Sequence, residues 1–425
     1  MSECLKYLSV LLISWIVLPH SFGNERIRCS TMDVFIRKAA GNPEVIRQRE
    51  QLEQETAQWI NQSSANKPGS IASLVTIPVV VHVVYNTPDQ NISAAQIQSQ
   101  IERLNKDYRN LNTDKLSSGH PFFSLASDAQ VEFCLAKSDP NGNATTGITR
   151  TPTTRTEFSD DDSVKFSNKR GENAWNSTQY LNMWVCKMDG NTLGYAQLPD
   201  DLALFGETDG VVIDFEAFGT IGTAKSPFNL GRTATHEVGH WLNLRHIWGD
   251  DEGTGSKCSG TDNVTDTPNQ EIATTGCPLG EMTDACTAAS PGIMFQNYMD
   301  YTDDACMVMF TTKQVDRMQA ILSSTRSAIV TSNKCLSSGV VRPWTDKLRI
   351  YPNPVENYLT IEGLPSTKSR IFYIDFHNVL GEIVYSTTFS AAQNMLEMQH
   401  FEKGTYIMTV YNEEFSSTQK LTVVK

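Results

Sequence analysis

One stretch constrains this chain more than any other: His236-Glu237-Val238-Gly239-His240-Trp241-Leu242-Asn243-Leu244-Arg245-His246. His236 and His240 are four residues apart, so on a helix they lie one turn above each other on one face. Two neutral imidazoles on a rigid face can hold a zinc ion at about 2.0–2.1 Å per nitrogen. Glu237, beside the first of them, can reach a metal-bound water without ligating the metal. His246 lies six residues past His240 and cannot share that face, so the helix must stop and the chain must fold back. Asn243 is placed for that reversal, because Asn, after Gly, most readily takes the left-handed conformation that ends a helix. A helical histidine pair alone is often only a polar face. Three of the chain's eight histidines at these spacings point instead to a metal.

The pattern H-E-x-x-H-x-x-G-x-x-H followed by a Met-containing turn is the signature of the metzincin metallopeptidases. The chain resembles it everywhere except at Asn243, where the pattern has Gly. Downstream, Asn297-Tyr298-Met299-Asp300-Tyr301 resembles the Met-turn of the pappalysin branch, and the resemblance spans roughly residues 70–335. It implies an α+β catalytic domain: a twisted mixed sheet with the active-site helix, over an irregular, disulfide-stapled lower part. It further implies one catalytic zinc on His236, His240 and His246, with Glu237 as general base. Met299 would be an apolar floor beneath the histidines, and the Tyr301 hydroxyl would donate to the developing oxyanion. An edge strand along the cleft would let a substrate add to the sheet.

Length and charge bound the rest. At 425 residues the chain is about three domains long, and a net charge of −13 with no Lys/Arg run excludes a nucleic-acid partner. Residues 1–23 read as a signal peptide: Lys6, an apolar run over 8–18 too short to span a bilayer, then Ser21-Phe22-Gly23 with cleavage after Gly23. The mature protein is then exported without a transmembrane anchor, into a compartment that permits disulfides.

Residues 24–70 read as a prosegment, with a charged helical stretch over 43–60 and a linker over 61–70 open to cleavage. Cys29 within it is a candidate zymogen switch, since a thiolate is a zinc ligand; alternatively it pairs with Cys134, Cys186 or Cys335, or stays free. The catalytic domain, 71–335, opens on the β-branched run Ile77-Pro78-Val79-Val80-Val81-His82-Val83-Val84-Tyr85, a buried strand with His82 a satisfied sheet residue. Ser93 and Gln96 form a capping box before a helix over 93–110 with the stripe Ile97, Ile101, Leu104 and Tyr108. Further strands are expected over 129–136, 180–187 and 210–215, the zinc helix over 231–243 and a closing helix over 313–324.

Residues 249–296 are rich in Gly, Asp, Thr and Pro and cannot be ordered by core burial alone. Cys258, Cys277, Cys286 and Cys306 fall in and just beyond this segment. Four cysteines allow three pairings; the pappalysin resemblance implies Cys258–Cys286 and Cys277–Cys306, each stabilising by about 3–3.5 kcal/mol. Oxygen-bearing side chains crowd Thr261-Asp262-Asn263-Val264-Thr265-Asp266-Thr267, which suits calcium. The resemblance points to Asp262, Asp266 and Thr267 as structural calcium ligands, with Asp250 and Asp251 weaker candidates.

After a linker over 336–347 comes a separate, strand-rich unit, 348–425. Arg349-Ile350-Tyr351-Pro352-Asn353-Pro354-Val355, Val379-Leu380-Gly381-Glu382, Gly404-Thr405-Tyr406 and Lys420-Leu421-Thr422-Val423-Val424-Lys425 resemble the C-terminal sorting domain of the type IX secretion system. Alternation at Leu359/Ile361, Tyr373/Asp375 and Tyr406/Met408/Val410 fits a small β-sandwich. The expected function is a zinc endopeptidase acting on proteins or peptides, made as a zymogen and carried by the type IX machinery to the medium or cell surface. The alternative is a catalytically silent zinc-binding or adhesive surface protein. Asp303 and Asp304, just after the Met-turn, are candidates for a primed-side pocket that selects Arg on the carboxyl side of the scissile bond.

Overall fold

The structure, a computed structural model, describes residues 28–66, 74–250, 258–336, 348–364, 371–378, 383–390, 395–411 and 416–424. The expected signal peptide, the end of the prosegment linker, Asp251 and the interdomain linker beyond residue 336 lie outside these residues.

Two helices precede the sheet, α1 (Thr31–Gly41) and α2 (Glu44–Asn66). The stretch 61–66, expected to be linker, is the last part of α2; Gln and Ala favour helix, and no Gly or Pro interrupts it before Pro68. The sequence offered little for α1, whose buried face is only Thr31, Val34 and Phe35.

The β-branched run forms β1 (Val75–Tyr85), with β2 (Val131–Leu135) and β3 (Ile148–Pro152) parallel along successive halves of one side. On its other side lie β4 (Leu181–Cys186), β5 (Gly194–Ala196) and β6 (Val211–Asp214), in the order β4-β6-β5. Every pairing is parallel except that of β5, which is antiparallel and forms the edge. Between β1 and β2, α3 (Ala94–Tyr108) lays Ile97, Ile101, Leu104 and Tyr108 against Ile77, Val79, Val81 and Val83. Each such burial stabilises by about 1.5–3 kcal/mol. The other sheet face carries Val84, Trp184 and Val212, covered by Phe158 and Val164. Both faces are therefore dry, which is why β1 reads as a continuous apolar run. His82 is satisfied within the sheet by Thr149 and Asn182.

Ser93 caps α3 by accepting from Gln96 N at 3.1 Å, but the reciprocal half of the expected box is missing. The Gln96 amide instead holds the 215–223 turn, donating to the Phe218 carbonyl at 2.8 Å and accepting from Thr223 N at 3.1 Å. The zinc-motif helix α4 (Arg232–Trp241) packs on α3 from the same side of the sheet, and α5 (Thr312–Ser323) and α6 (Ser327–Val330) close the domain. Disulfides join Cys258 to Cys286, Cys277 to Cys306 and Cys134 to Cys335.

The C-terminal unit is a sandwich. One sheet contains β7 (Arg349–Tyr351), β8 (Tyr358–Glu362) and β11 (Met395–Glu397). The other runs β10 (Ile383–Ser390), β9 (Ile371–His377), β12 (Gly404–Tyr411) and β13 (Ser416–Val423). Leu359, Ile361, Met408 and Val410 face its core as the alternation implies; on β9 the buried set is Phe372, Ile374 and Phe376.

Candidate active site

Helix α4 is buried along its whole length, so its ends must be satisfied from within the protein. Gly231 offers no capping side chain. Asp304, 72 residues on, takes that role: one carboxylate oxygen accepts from Leu230 N at 2.8 Å and Arg232 N at 3.2 Å. At the other end Asn243 adopts φ 71°, and its N–H donates to the His240 carbonyl while Leu244 N donates to the Gly239 carbonyl, both at 2.9 Å. That is a Schellman ending with Asn in the left-handed position, and it turns the chain so that His246 comes back under the helix. Behind α4, Arg326 makes a two-point pair with Asp209 at 2.8 and 2.9 Å and lies 3.7 Å over the Trp241 ring.

The Nε2 atoms of His236, His240 and His246 lie 3.0–3.2 Å from one another. Each Nδ1 faces outward: His236 donates to the Tyr298 carbonyl at 2.6 Å, His240 to the Leu244 carbonyl at 2.9 Å, and His246 to the Asp250 carboxylate. These bonds fix the tautomers, leaving three lone pairs converging on one point. Burial, followed by the charge of its neighbours, pushes His236 well below the usual imidazole range and His240 down to about 3. Both are therefore neutral, as metal ligands must be. Asp250, read from sequence as a weak calcium candidate, is the carboxylate that orients the third histidine. Trp248, which the sequence did not single out, stacks on His246 with ring centres 4.3 Å apart.

Below the histidines, Met299 is fully buried, and a Cβ added to Gly239 would lie 2.6 Å from its sulfur. The glycine between the two helical histidines thus makes room for the Met-turn. The Tyr301 ring stands 4.9 Å from that of His246.

Residues 28–31 cross this centre. Cys29 joins the three histidines in a group whose ligand atoms all lie within 4.8 Å of one another. It is the only such cluster of three or more His, Cys, Asp or Glu among the described residues. The Cys29 thiol donates to Glu237 at 3.4 Å, the Thr31 hydroxyl donates to the same oxygen at 2.9 Å, and Tyr301 donates to the Cys29 carbonyl at 3.2 Å. Burial pushes the Glu237 carboxyl up to about 8, against the hydrogen bonds of Thr31 and Cys29. Burial, then the Glu237 charge, also raises the Cys29 thiol. A cation among the histidines would reverse both shifts. Ser30 N donates to Gly194 O at 3.1 Å and Ala196 N to Thr31 Oγ1 at 2.8 Å, so the segment runs parallel to β5 along the open edge.

Arg28, 3% exposed, pairs with Asp304 at 3.0 Å over the Phe228 ring. Of the two aspartates singled out from sequence, Asp304 is the one that meets Arg28; Asp303 is half-buried and contributes a backbone bond to Gly276. In the polar loop Asp262 is buried and accepts from the Thr267 hydroxyl at 2.7 Å. Burial raises the Asp262 carboxyl to about 6. Asp266 does not converge on that pair through these bonds: its oxygens accept from Thr311 Oγ1 at 2.6 Å and Lys313 N at 3.0 Å, bracing the start of α5.

Residues 165–323 match the family described as pregnancy-associated plasma protein-A, a peptidase family, and residues 349–424 match the secretion system C-terminal sorting domain. An extracellular metalloprotease of Pyricularia oryzae is 31% identical over 289 residues, 65% of this chain and 87% of that protein. One from Verticillium alfalfae is 39% identical over 153 residues, 35% of this chain and 50% of that protein. Among solved structures, a Tannerella forsythia promirolysin mutant is similar at 48% identity and TM-score 0.65, covering 71% of this chain and 96% of that one. Mature mirolysin of the same organism, in complex with a cleaved peptide, is similar at 55% identity and TM-score 0.59, covering 61% and 97%.

Proposed function

The chain belongs to the pregnancy-associated plasma protein-A, or pappalysin, family of metallopeptidases, and on that premise we propose how its residues divide the work. It is a secreted zinc-dependent endopeptidase with a C-terminal secretion sorting domain, and the silent or adhesive alternative is not favoured. In the proposed division, 24–70 is the prosegment, 71–335 the catalytic domain, 336–347 a linker and 348–425 the sorting domain. The type IX machinery is the partner that reads the last of these.

The donor set fits zinc. Three neutral imidazole nitrogens 3.0–3.2 Å apart repel one another unless a cation sits between them, and tetrahedral Zn–N bonds of about 2.0–2.1 Å set nitrogens at about that spacing. This convergence is the observation that carries the assignment of His236, His240 and His246 as the ligands. Zinc held there supplies a Lewis acid and lowers the pKa of a coordinated water.

The chain's own residues do the rest. Glu237 accepts the proton of the attacking water and later passes it to the leaving amine. Gly194 keeps the edge strand close to that carboxylate: a Cβ there would lie 3.2 Å from Glu237 Cγ and 2.8 Å from Val212 O. A substrate strand can therefore pair with β5 directly beside the base. Tyr301 donates its hydroxyl to the oxyanion as it forms, and Met299 holds the histidine floor without ligating.

Latency follows from the same contacts. Cys29 stands where its sulfur would hold the metal in place of a water, Thr31 occupies Glu237, and Arg28 pairs with Asp304. Support for an Arg preference on the primed side comes from that guanidinium, which the pocket already accepts. Calcium is proposed at Asp262 and Thr267, holding the 258–286 loop.

Glu237→Ala tests the assignment. The activated variant should retain one zinc per chain and lose protein digestion by several orders of magnitude, because a proton acceptor and no ligand is removed. Digestion near the wild-type rate with zinc bound would overturn it.

A further inference from the structure

Arg28 is not the prosegment's only basic side chain in an acidic recess. Along the path of residues 28–41, Arg28 meets Asp304, Cys29 meets the histidines, Ser30 and Thr31 pair with β5, and Lys38 then reaches a second recess past the end of that strand. Lys38 Nζ lies 3.1 Å from Asp201 Oδ2, 3.2 Å from Gln197 Oε1 and 3.4 Å from Asp162 Oδ2, with the Phe205 ring centre at 5.1 Å. The surrounding floor is apolar: Leu198, Leu204 and Phe205 are covered by Met32, Phe35, Ala39 and Val45, all from the prosegment.

The two carboxylates are not equivalent. Asp162 has a partner within the catalytic domain, Lys165 at 2.7 Å. Asp201 is 3% exposed, and among the described residues its only cationic partner is Lys38. Departure of the prosegment removes that cation and uncovers the apolar floor together. A carboxylate recessed in an apolar floor without a partner is costly, so the recess is left with affinity for another cation. Asp200 also loses a prosegment cation, Arg49 at 3.7 Å, but it keeps the charge of Arg245. A divalent ion is a poor occupant, since beside the Asp201 carboxylate and one amide oxygen it would meet the Lys165 ammonium. A side chain with a long aliphatic stem and one charge at its tip matches both parts, the stem lying on Leu198 and Phe205 and the tip on Asp201.

We propose that this recess is a second substrate subsite, on the unprimed side, that selects Lys or Arg, with Asp201 as its specificity-determining residue. The proposal rests on the reading of the Asp304 pocket as primed, because the two recesses flank the histidines. Residues on the amino side of the scissile bond then run along β5 toward Gln197 and Asp201. From Gly194, beside Glu237, to Gln197 is three residues, about 10 Å at about 3.3 Å per residue, so the basic residue falls within about four positions of the cut. The enzyme therefore favours cationic peptides with basic residues on both sides of the bond it hydrolyses.

The test uses the full chain, activated by limited proteolysis, on peptides with Arg fixed after the scissile bond and Lys, norleucine or Glu scanned through the four preceding positions. At one position kcat/KM for Lys should exceed that for norleucine by about tenfold or more, the scale of a charge-assisted hydrogen bond. Glu there should be worse than either. In Asp201→Asn the Lys-to-norleucine ratio should fall to about one, with the change mainly in KM, while the primed Arg preference of the same peptides persists. No position at which wild type separates Lys from norleucine, or an unchanged ratio in Asp201→Asn, would overturn the proposal. The wild-type comparison decides alone if the variant does not fold. Loss of the primed Arg preference with the unprimed one intact would instead count against the Asp304 reading.

Discussion

Replacing Arg28 by Ala should release the zymogen's grip without touching the catalytic groups. The guanidinium and Asp304 are 3% and 0% exposed, so the pair is almost fully shielded from solvent. Losing a charge-assisted hydrogen bond of this kind costs about 1.5–3 kcal/mol, and losing the stacking over Phe228 costs a further ~0.5–1 kcal/mol. Asp304 keeps two N–H donors, from Leu230 and Arg232, so the penalty of a wholly orphaned carboxylate does not apply. The sum is about 2–4 kcal/mol, which enlarges the open fraction by about 30- to 700-fold at 1.4 kcal/mol per decade. Hydrogen exchange over 31–41 reads that opening, in a Glu237→Ala background that prevents self-digestion. Because Asp304 also caps α4, the single variant is not sufficient; Arg28→Ala, Asp304→Asn and the double variant should give a coupling of about 2 kcal/mol. A coupling below about 0.5 kcal/mol would show that Arg28 is merely packed beside Asp304.

Gly239→Ala should lower the melting temperature and zinc retention, because its methyl would lie 2.6 Å from the Met299 sulfur. Overpacking costs about 1–3 kcal/mol and the helical gain from Ala returns at most about 1; an unchanged melting curve with zinc held would refute this. Prosegment docking should weaken in acid through Glu53. Burial alone would raise that carboxyl, but the hydrogen bonds and charge of Arg317, with the charge of Arg245, pull it down to about 2. A depressed acid contributes stability above its free value of about 4.5 that is lost as pH falls toward about 2, so exchange over α2 should rise in that window and Glu53→Gln should remove the dependence. Calcium-selective chelation with zinc retained should lower the melting temperature and expose 258–286 to proteolysis, and Asp262→Asn should no longer respond; no shift in wild type would reduce Asp262 and Thr267 to ordinary loop residues.

The convergence of the three histidines was legible because its information is local. Helix periodicity and one left-handed Asn place His236, His240 and His246 within eleven residues, and Met299 sits in a short motif of its own. What supports them is long-range and has no spacing to read. Asp304 caps a helix 72 residues before it, Arg28 meets Asp304 across 276 residues, and Asp209 and Arg326 clamp Trp241 from two other segments. Asp250 could have been found, since a histidine that binds metal commonly donates its other ring N–H to a carboxylate. Strand β3 was missed because Ile148-Thr149-Arg150-Thr151-Pro152 is mostly polar and only partly buried, and β5 because it holds only Gly194-Tyr195-Ala196. The departure at Asn243 also acquires a use: its amide donates to Thr56 of α2 at 3.3 Å, a contact Gly could not make.

Cys134 and Cys335 are 201 residues apart, and every group from His236 to Asp304 lies in the ring they close. A secreted endopeptidase is its own nearest substrate, and a single nick in one of its loops would ordinarily shed a fragment. Here a cut between those cysteines leaves one covalent molecule, with sheet and metal ligands still tethered across the break. The prosegment and the sorting tail lie outside the ring. A cut on either side of the ring would therefore release a piece that the bridge does not hold, while a single cut within it would release nothing.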